Sequence, residues 1–248
     1  MTERIDRLVA KLDALRQKDI QFAVFGASMH KYRLNPPVAP ERLAAVEARI
    51  GQPLPADYRE FITRIGDGGA GPFYGLLRLE DNQDQTVQDD VPFPYLPDAP
   101  LYLDDIPELD KAYDQRDAAY DAGDDVAEQA AWDALDSVVN GYYRQATSGI
   151  KFIADEGCAM FDVLVVNGPQ AGTVWYFNFA DQLGVLPIFR PGTRQPMSFA
   201  DWYEYWLDLS LADPPATPTW IFDKPISALD HTEKTWSTAS FAEKRSGS

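Results

Sequence analysis

IGQPLPADYREFITRIGDGGAGPFYGLLRL, residues 50 to 79, carries three structural instructions in one run. Pro55 reads as the first helical position, where a proline forfeits no intrahelical bond and its φ is already set. Asp57 and Glu60 put negative charge near the positive end of the helix dipole. Tyr58, Phe61, Ile62 and Ile65 recur at helical spacing and give one apolar face to bury. Gly66 ends the helix, and Asp67, Gly68 and Gly69 turn the chain through conformations closed to bulky residues. Phe73 to Leu79 then reads as a strand.

Upstream, Ile5, Leu8, Val9, Leu12 and Leu15 make residues 3 to 17 an amphipathic helix. QFAVFGA, residues 21 to 27, reads as a short strand or buried extended segment. Asn35-Pro36-Pro37 breaks the chain, and Glu41 to Ile50 forms a helix stopped by Gly51. Downstream of Leu79 the sequence turns polar and then proline-rich, which predicts an exposed excursion. Two helical stripes follow: Ile106, Leu109, Tyr113 and Tyr120, then, past Gly123, Val126, Ala130, Leu135 and Val138. Strands are expected at 151–154, 159–166 and 172–179, with Asn167-Gly168-Pro169 as a turn. Gly184 to Arg190 reads as an edge strand, because Pro187 lacks the donor a central strand needs. Ser198 can cap a last helix bearing Trp202, Tyr205, Trp206 and Leu209.

LPADYREFITRIGDGGAGPFYGL resembles the signature of the SUKH superfamily of Smi- and Knr-type domains. HKYRLNPP (residues 30–37) is similar to the lead-in of its longer bacterial members. LVVNGPQAGTVWYF (164–177) and FADWYEYWLD (199–208) are similar to their central hairpin and final helix. The resemblance runs in order over roughly residues 25 to 210. It implies a single α+β domain with a mixed, largely antiparallel sheet packed against helices. The domain is expected over 1–213, with an acidic helical insertion at about 80–147. Residues 214–248 are expected as a tail, irregular or packed on the surface. The resemblance also implies function: an immunity protein that neutralises a cognate bacterial toxin stoichiometrically, or else a regulatory or scaffolding module.

Composition narrows the classes independently. A 45% hydrophobic share over 248 residues supports a sizeable core. A lone cysteine excludes an internal disulfide and fits a reducing compartment. The charged, amphipathic N-terminus is unlike a signal peptide, and no run of 18 apolar residues offers a membrane span, so a cytoplasmic protein is expected. The net charge of −17 is concentrated: residues 80 to 136 hold 18 of the 39 acids and only two of the 22 bases, Lys111 and Arg116. Such a field repels nucleic acid and anionic lipid and attracts basic proteins.

The chemistry-bearing motifs read as structural. GDGGAGP runs from helix to strand, whereas a phosphate cradle runs from strand to helix. GASMH, residues 26 to 30, lacks the second glycine of a nucleophile elbow, so Ser28 reads as a turn residue. His30 and His231 are the only histidines and have no sequence-linked partner. Cysteine and histidine are too few for a zinc site, and no acidic run has calcium-loop spacing, so no metal or cofactor is expected. Cys158, among apolar residues, reads as a small buried side chain. The chain is therefore read as a non-enzyme. The partner-binding candidates are Asp114, Asp117, Asp121, Asp124, Asp125 and Trp132, facing a basic toxin domain. Tyr113 and Tyr120 are further aromatic anchors or, alternatively, packing between the insertion helices. The competing reading of the acidic stretch is a solvated face that keeps the protein soluble.

Overall fold

The computed structural model describes residues 2–80, 87–181 and 183–218. At its centre, strands β2 (Ile150–Gly157), β3 (Met160–Val165) and β4 (Val174–Asn178) follow the expected β-branched and aromatic runs. With β1 (Leu101–Tyr102) and β5 (Gly184–Pro187) they form a five-stranded sheet in the order β1-β5-β4-β3-β2. All four strand pairings are antiparallel. The only parallel contact among the described residues is an isolated bridge, Gln88 to Ser148.

Both faces of this sheet are apolar. Leu164, Val166, Val174, Tyr176, Leu186 and Ile188 pack into one core, and Phe152, Val163, Val165, Trp175, Phe177 and Val185 into a second. Each face therefore needs a cover, since burying a large apolar side chain contributes about 1.5–3 kcal/mol over leaving it wet. Helices α1 (Thr2–Lys18), α3 (Pro40–Ile50), α4 (Ala56–Arg64) and α7 (Phe199–Leu211) supply the first cover. The short helix α2 (Ala27–His30) sits at its margin. The second cover is the acidic insertion itself, α5 (Pro107–Ala122) and α6 (Asp125–Ala146), with the segment leading to it. The insertion is a structural layer, not an appendage.

Two polar networks fix the layers. Arg7 and Lys11 on α1 reach Glu204 on α7 at 2.5 and 2.8 Å, Lys11 also reaches Asp208 at 2.6 Å, and Arg4 pairs with Asp201. The Arg7 hydrogen bond, helped by Lys11 and against the effect of burial, holds the Glu204 carboxyl down at about 2. The other network joins a buried carboxylate and ammonium to a half-exposed arginine. Lys151 Nζ on β2 lies 2.8 Å from Asp89, and Arg49 on α3 lies 2.7 Å from the same carboxylate oxygen. Burial alone would raise the Asp89 pKa; hydrogen bonds from Arg49 and Lys151 outweigh it and hold the carboxyl below its usual range. This carboxylate ties the entry of the insertion to the sheet and to α3.

Several expectations are corrected. Phe73–Leu79 lies along the open edge of β2, with Tyr74 N–H donating to Asp155 and Leu77 N–H to Ile153. It is not a strand, because Phe73 (φ 51°) and Gly75 (φ 109°) break the extended backbone. Gly75 is required there: a Cβ would sit 2.4 Å from the Gly69 carbonyl oxygen. Residues 21–27 form turns leading into α2, organised by the Asp19 carboxylate, which accepts from Ala23 N–H, Val24 N–H and the Tyr32 hydroxyl. The proline-rich stretch is not a free excursion, for Phe93 is 1% exposed and packs edge-on to Trp175. β5 is not the edge: β1 pairs with it at Val185 and Gly184 but stops short of Pro187, whose missing donor faces no strand. Cys158 is exposed at the β2–β3 turn, where its own φ of 52° turns the chain outward. The expected tail lies outside the described residues from Thr219 onward.

Phe61 is 1% exposed and meets Phe199 and Tyr203 edge-on at 5.2 and 4.9 Å. Phe61→Ala is expected to cost about 3–5 kcal/mol in chemical denaturation; a loss under about 1 kcal/mol would misplace the α4 face. Asp89→Ala strands the buried Lys151 ammonium and is expected to cost about 3–5 kcal/mol. Adding Lys151→Met should recover part of that loss, and no recovery would contradict the ion-pair account.

Candidate partner-binding face

The insertion is a helical hairpin built from local signals. Pro107 occupies the first turn of α5, Gly123 closes that helix in the left-handed region at φ 65°, and Asp124 caps α6. The Asp124 carboxylate accepts from Val126 N–H at 3.2 Å and Ala127 N–H at 3.0 Å. A cap of this kind is worth about 1 kcal/mol, so Asp124 has a structural duty whatever else it meets.

Inward, Leu109 and Ala112 of α5 and Leu135 and Ala146 of α6 are buried against the sheet, flanked by half-buried Tyr113, Trp132, Tyr142 and Tyr143. Tyr143 packs edge-on to Phe177 at 5.3 Å and Phe179 at 4.9 Å. Arg116 is turned into this layer: its guanidinium lies 5.1 Å from the ring centres of both Tyr113 and Trp132, and it pairs with Asp117. Its side chain is 14% exposed. Of the two bases in the acidic stretch, the outer surface therefore keeps Lys111.

Outward, Asp114, Asp117, Asp121 and Asp125 are exposed, and so is the capping Asp124. Asp110, Asp133 and Asp136 are also exposed and escaped the sequence reading. The spacing of Asp110, Asp114, Asp117 and Asp121, four, three and four residues apart, could have found the stripe. Like charges so spaced along one helix destabilise it by about 0.2–0.5 kcal/mol per pair. The Arg116–Asp117 pair relieves part of that repulsion.

The aromatic candidates divide. Trp132 and Tyr113 pack within the second core's margin beneath Arg116, while Tyr120 is 56% exposed. Tyr120 and Val126, the latter 81% exposed, leave the expected apolar stripe because the far turns of the hairpin bury no side chain.

The motifs weighed for catalysis have local employment. The GDGGAGP amides face backbone, with Gly69 N–H donating to Leu76 and Ala70 N–H to Arg33. Ser28 is exposed on α2. His30 Nδ1 accepts from Tyr32 N–H at 3.0 Å, and the ring stands edge-on to Tyr32 and Trp206. His231 lies outside the described residues. Among the described residues no group of three His, Cys, Asp or Glu side chains is placed to hold a metal ion. Burial lowers the His30 pKa to about 4, against a smaller opposing effect of the Gly71 backbone. The unfolded chain protonates this ring near its ordinary 6.5 while the folded chain does not. Stability contributed by neutral His30 is thus complete above pH 6.5 and lost as pH falls toward 4, on the order of 3 kcal/mol. His30→Gln should remove that slope from denaturation midpoints measured between pH 7 and 4; an unchanged slope would contradict the assignment.

The model of the SMI1 / KNR4 family (SUKH-1) matches residues 37–204, which span α3, α4, the sheet, the whole insertion and the start of α7, and leave out α1 and α2. No curated protein matches the chain, and no solved structure does. No helix of the described residues is long and apolar enough to cross a membrane. The sequence signature, the α+β architecture and the family match agree: the chain belongs to the SMI1/KNR4 (SUKH-1) family.

Proposed function

We propose that this protein is an immunity protein that binds a basic bacterial toxin domain and neutralises it by stoichiometric occlusion, without turnover. Membership of the SUKH-1 family supports a protein-binding role. The observation that carries the reading further is the segregation of charge across the insertion. Its inner side chains complete the core, Arg116 is folded onto Tyr113 and Trp132, Arg144 is exposed near the far end of α6, and its outer surface bears Asp114, Asp117, Asp121 and Asp125. An acidic stripe is favourable opposite a cationic surface, and its field accelerates encounter. Toxins that attack nucleic acid are typically basic, so occluding their active sites requires this sign of charge. Tyr120, exposed beside the stripe, supplies an aromatic contact of the type that dominates binding energy. The same surface on a regulatory module would meet many weak partners in place of one tight one.

The experiment combines Asp114→Asn, Asp117→Asn, Asp121→Asn and Asp125→Asn, sparing the Asp124 cap, and measures association with any toxin-like product encoded beside the gene. The on-rate is expected to fall at least about tenfold at low salt, with a flatter salt dependence and little change in folding stability. Dissociation should change less, being governed by short-range packing. An unchanged on-rate and salt dependence would reduce the acids to a solubility feature. Failure of any adjacent gene product to bind would favour the regulatory module.

A further inference from the structure

Past the layer that packs on the sheet, the acidic hairpin continues as an arm. Ala112 is the last buried residue of α5, and Leu135 is the first of α6. Arg116, lying over Tyr113 and Trp132, closes the packed part between them. Residues 117–131 then bury no side chain. A helix lying along a protein body buries one face at every turn. These turns bury none, so the arm stands clear of the other described residues. Ala122 and Asp125, at its tip, are each ten residues from the nearest buried position of their helix, about 15 Å along the axis.

The arm is slender and of one charge sign. Three of the six residues at 117–122 and three of the seven at 125–131 are alanine, so little side chain widens the helix pair. The same stretch carries Asp117, Asp121, Asp124, Asp125 and Glu128, and no lysine or arginine occurs between Arg116 and Arg144. At the tip the charge is joined by apolar surface: Tyr120 is 56% exposed and Val126 81%, three residues to either side of Gly123. A flat cationic surface would be met by the α5 stripe alone. A narrow, projecting, anionic arm with an apolar end is complementary to a recess with cationic walls and an apolar floor.

We infer that the arm enters the cleft in which the toxin domain holds a single-stranded nucleic acid substrate. Such clefts pair basic walls that track the phosphates with aromatic platforms on which the bases stack. The arm's acids face the cations that otherwise hold phosphates, and Tyr120 and Val126 reach the surface on which a base otherwise stacks. The inference rests on the immunity reading and adds to it which part of the chain inserts and what it displaces.

Displacement of a fluorescein-labelled single-stranded oligonucleotide from the toxin-like product that binds the chain, followed by anisotropy, tests this. The full chain is expected to displace the oligonucleotide at one-to-one stoichiometry. Deleting 117–120 together with 127–130 takes one turn, about 6 Å, from each helix and keeps the Gly123–Asp124 turn. No buried side chain is lost, so the denaturation midpoint should stay in place while displacement weakens at least about tenfold. The pair Tyr120→Ser and Val126→Ser alters no charge and should weaken displacement in the same direction, which loss of acidic charge alone would not explain. Displacement unchanged in both variants would overturn the insertion and leave the immunity reading standing on the α5 stripe. Simultaneous binding of the full chain and the oligonucleotide, or a toxin domain that holds no oligonucleotide, would overturn it as well. If no adjacent product binds the full chain, the immunity reading fails and this inference falls with it.

Discussion

Apolarity on both faces of strands β2, β3 and β4 is the constraint from which the architecture follows. Trp175 and Phe177 point one way, Val174 and Tyr176 the other, and all are buried. A half-solvated antiparallel sheet needs one covering layer; this one needs two. The helices flanking the family signature supply the first, and the acidic hairpin supplies the second. The entry of the insertion is tied down by the Asp89 carboxylate, which joins α3 to β2 through Arg49 and a Lys151 that is 2% exposed. The outer surface of the hairpin is thereby carried on a layer whose inner side chains pack against the sheet.

Helices were the most legible part of the sequence, because their signals are local. Ser198 caps α7 through Asp201 N–H, and Gly51 closes α3 in the left-handed region. Strands β2 to β4 were legible from composition. The failures share one cause, which is that tertiary contact decided the outcome. Phe73–Leu79 has the residues of a strand, yet close approach of Gly75 to the Gly69 carbonyl breaks its backbone. Leu101–Tyr102 gave no signal, since two residues show no period and they pair only because β5 needs an edge partner.

The candidate surface was legible in charge and illegible in geometry. Counting acids located it, but counting could not show that Arg116 folds inward over two aromatic rings. Nor could it separate Asp124, engaged as a helix cap, from its neighbours. Trp132, read as an anchor, is half-buried at the margin of the second core, while Tyr120, read as either anchor or packing, is 56% exposed. The amphipathic period alone could not distinguish these, because the far turns of the hairpin bury no side chain against the sheet.

Hydrogen exchange on a one-to-one mixture with the basic toxin domain proposed as partner tests the central claim most directly. The account predicts slowed exchange in α5 and the first turns of α6, around Tyr120 and Asp124, with the α1–α7 face unchanged. Protection confined to α1, α7 or the loop at 19–32, with exchange in α5 and α6 unaltered, would contradict it.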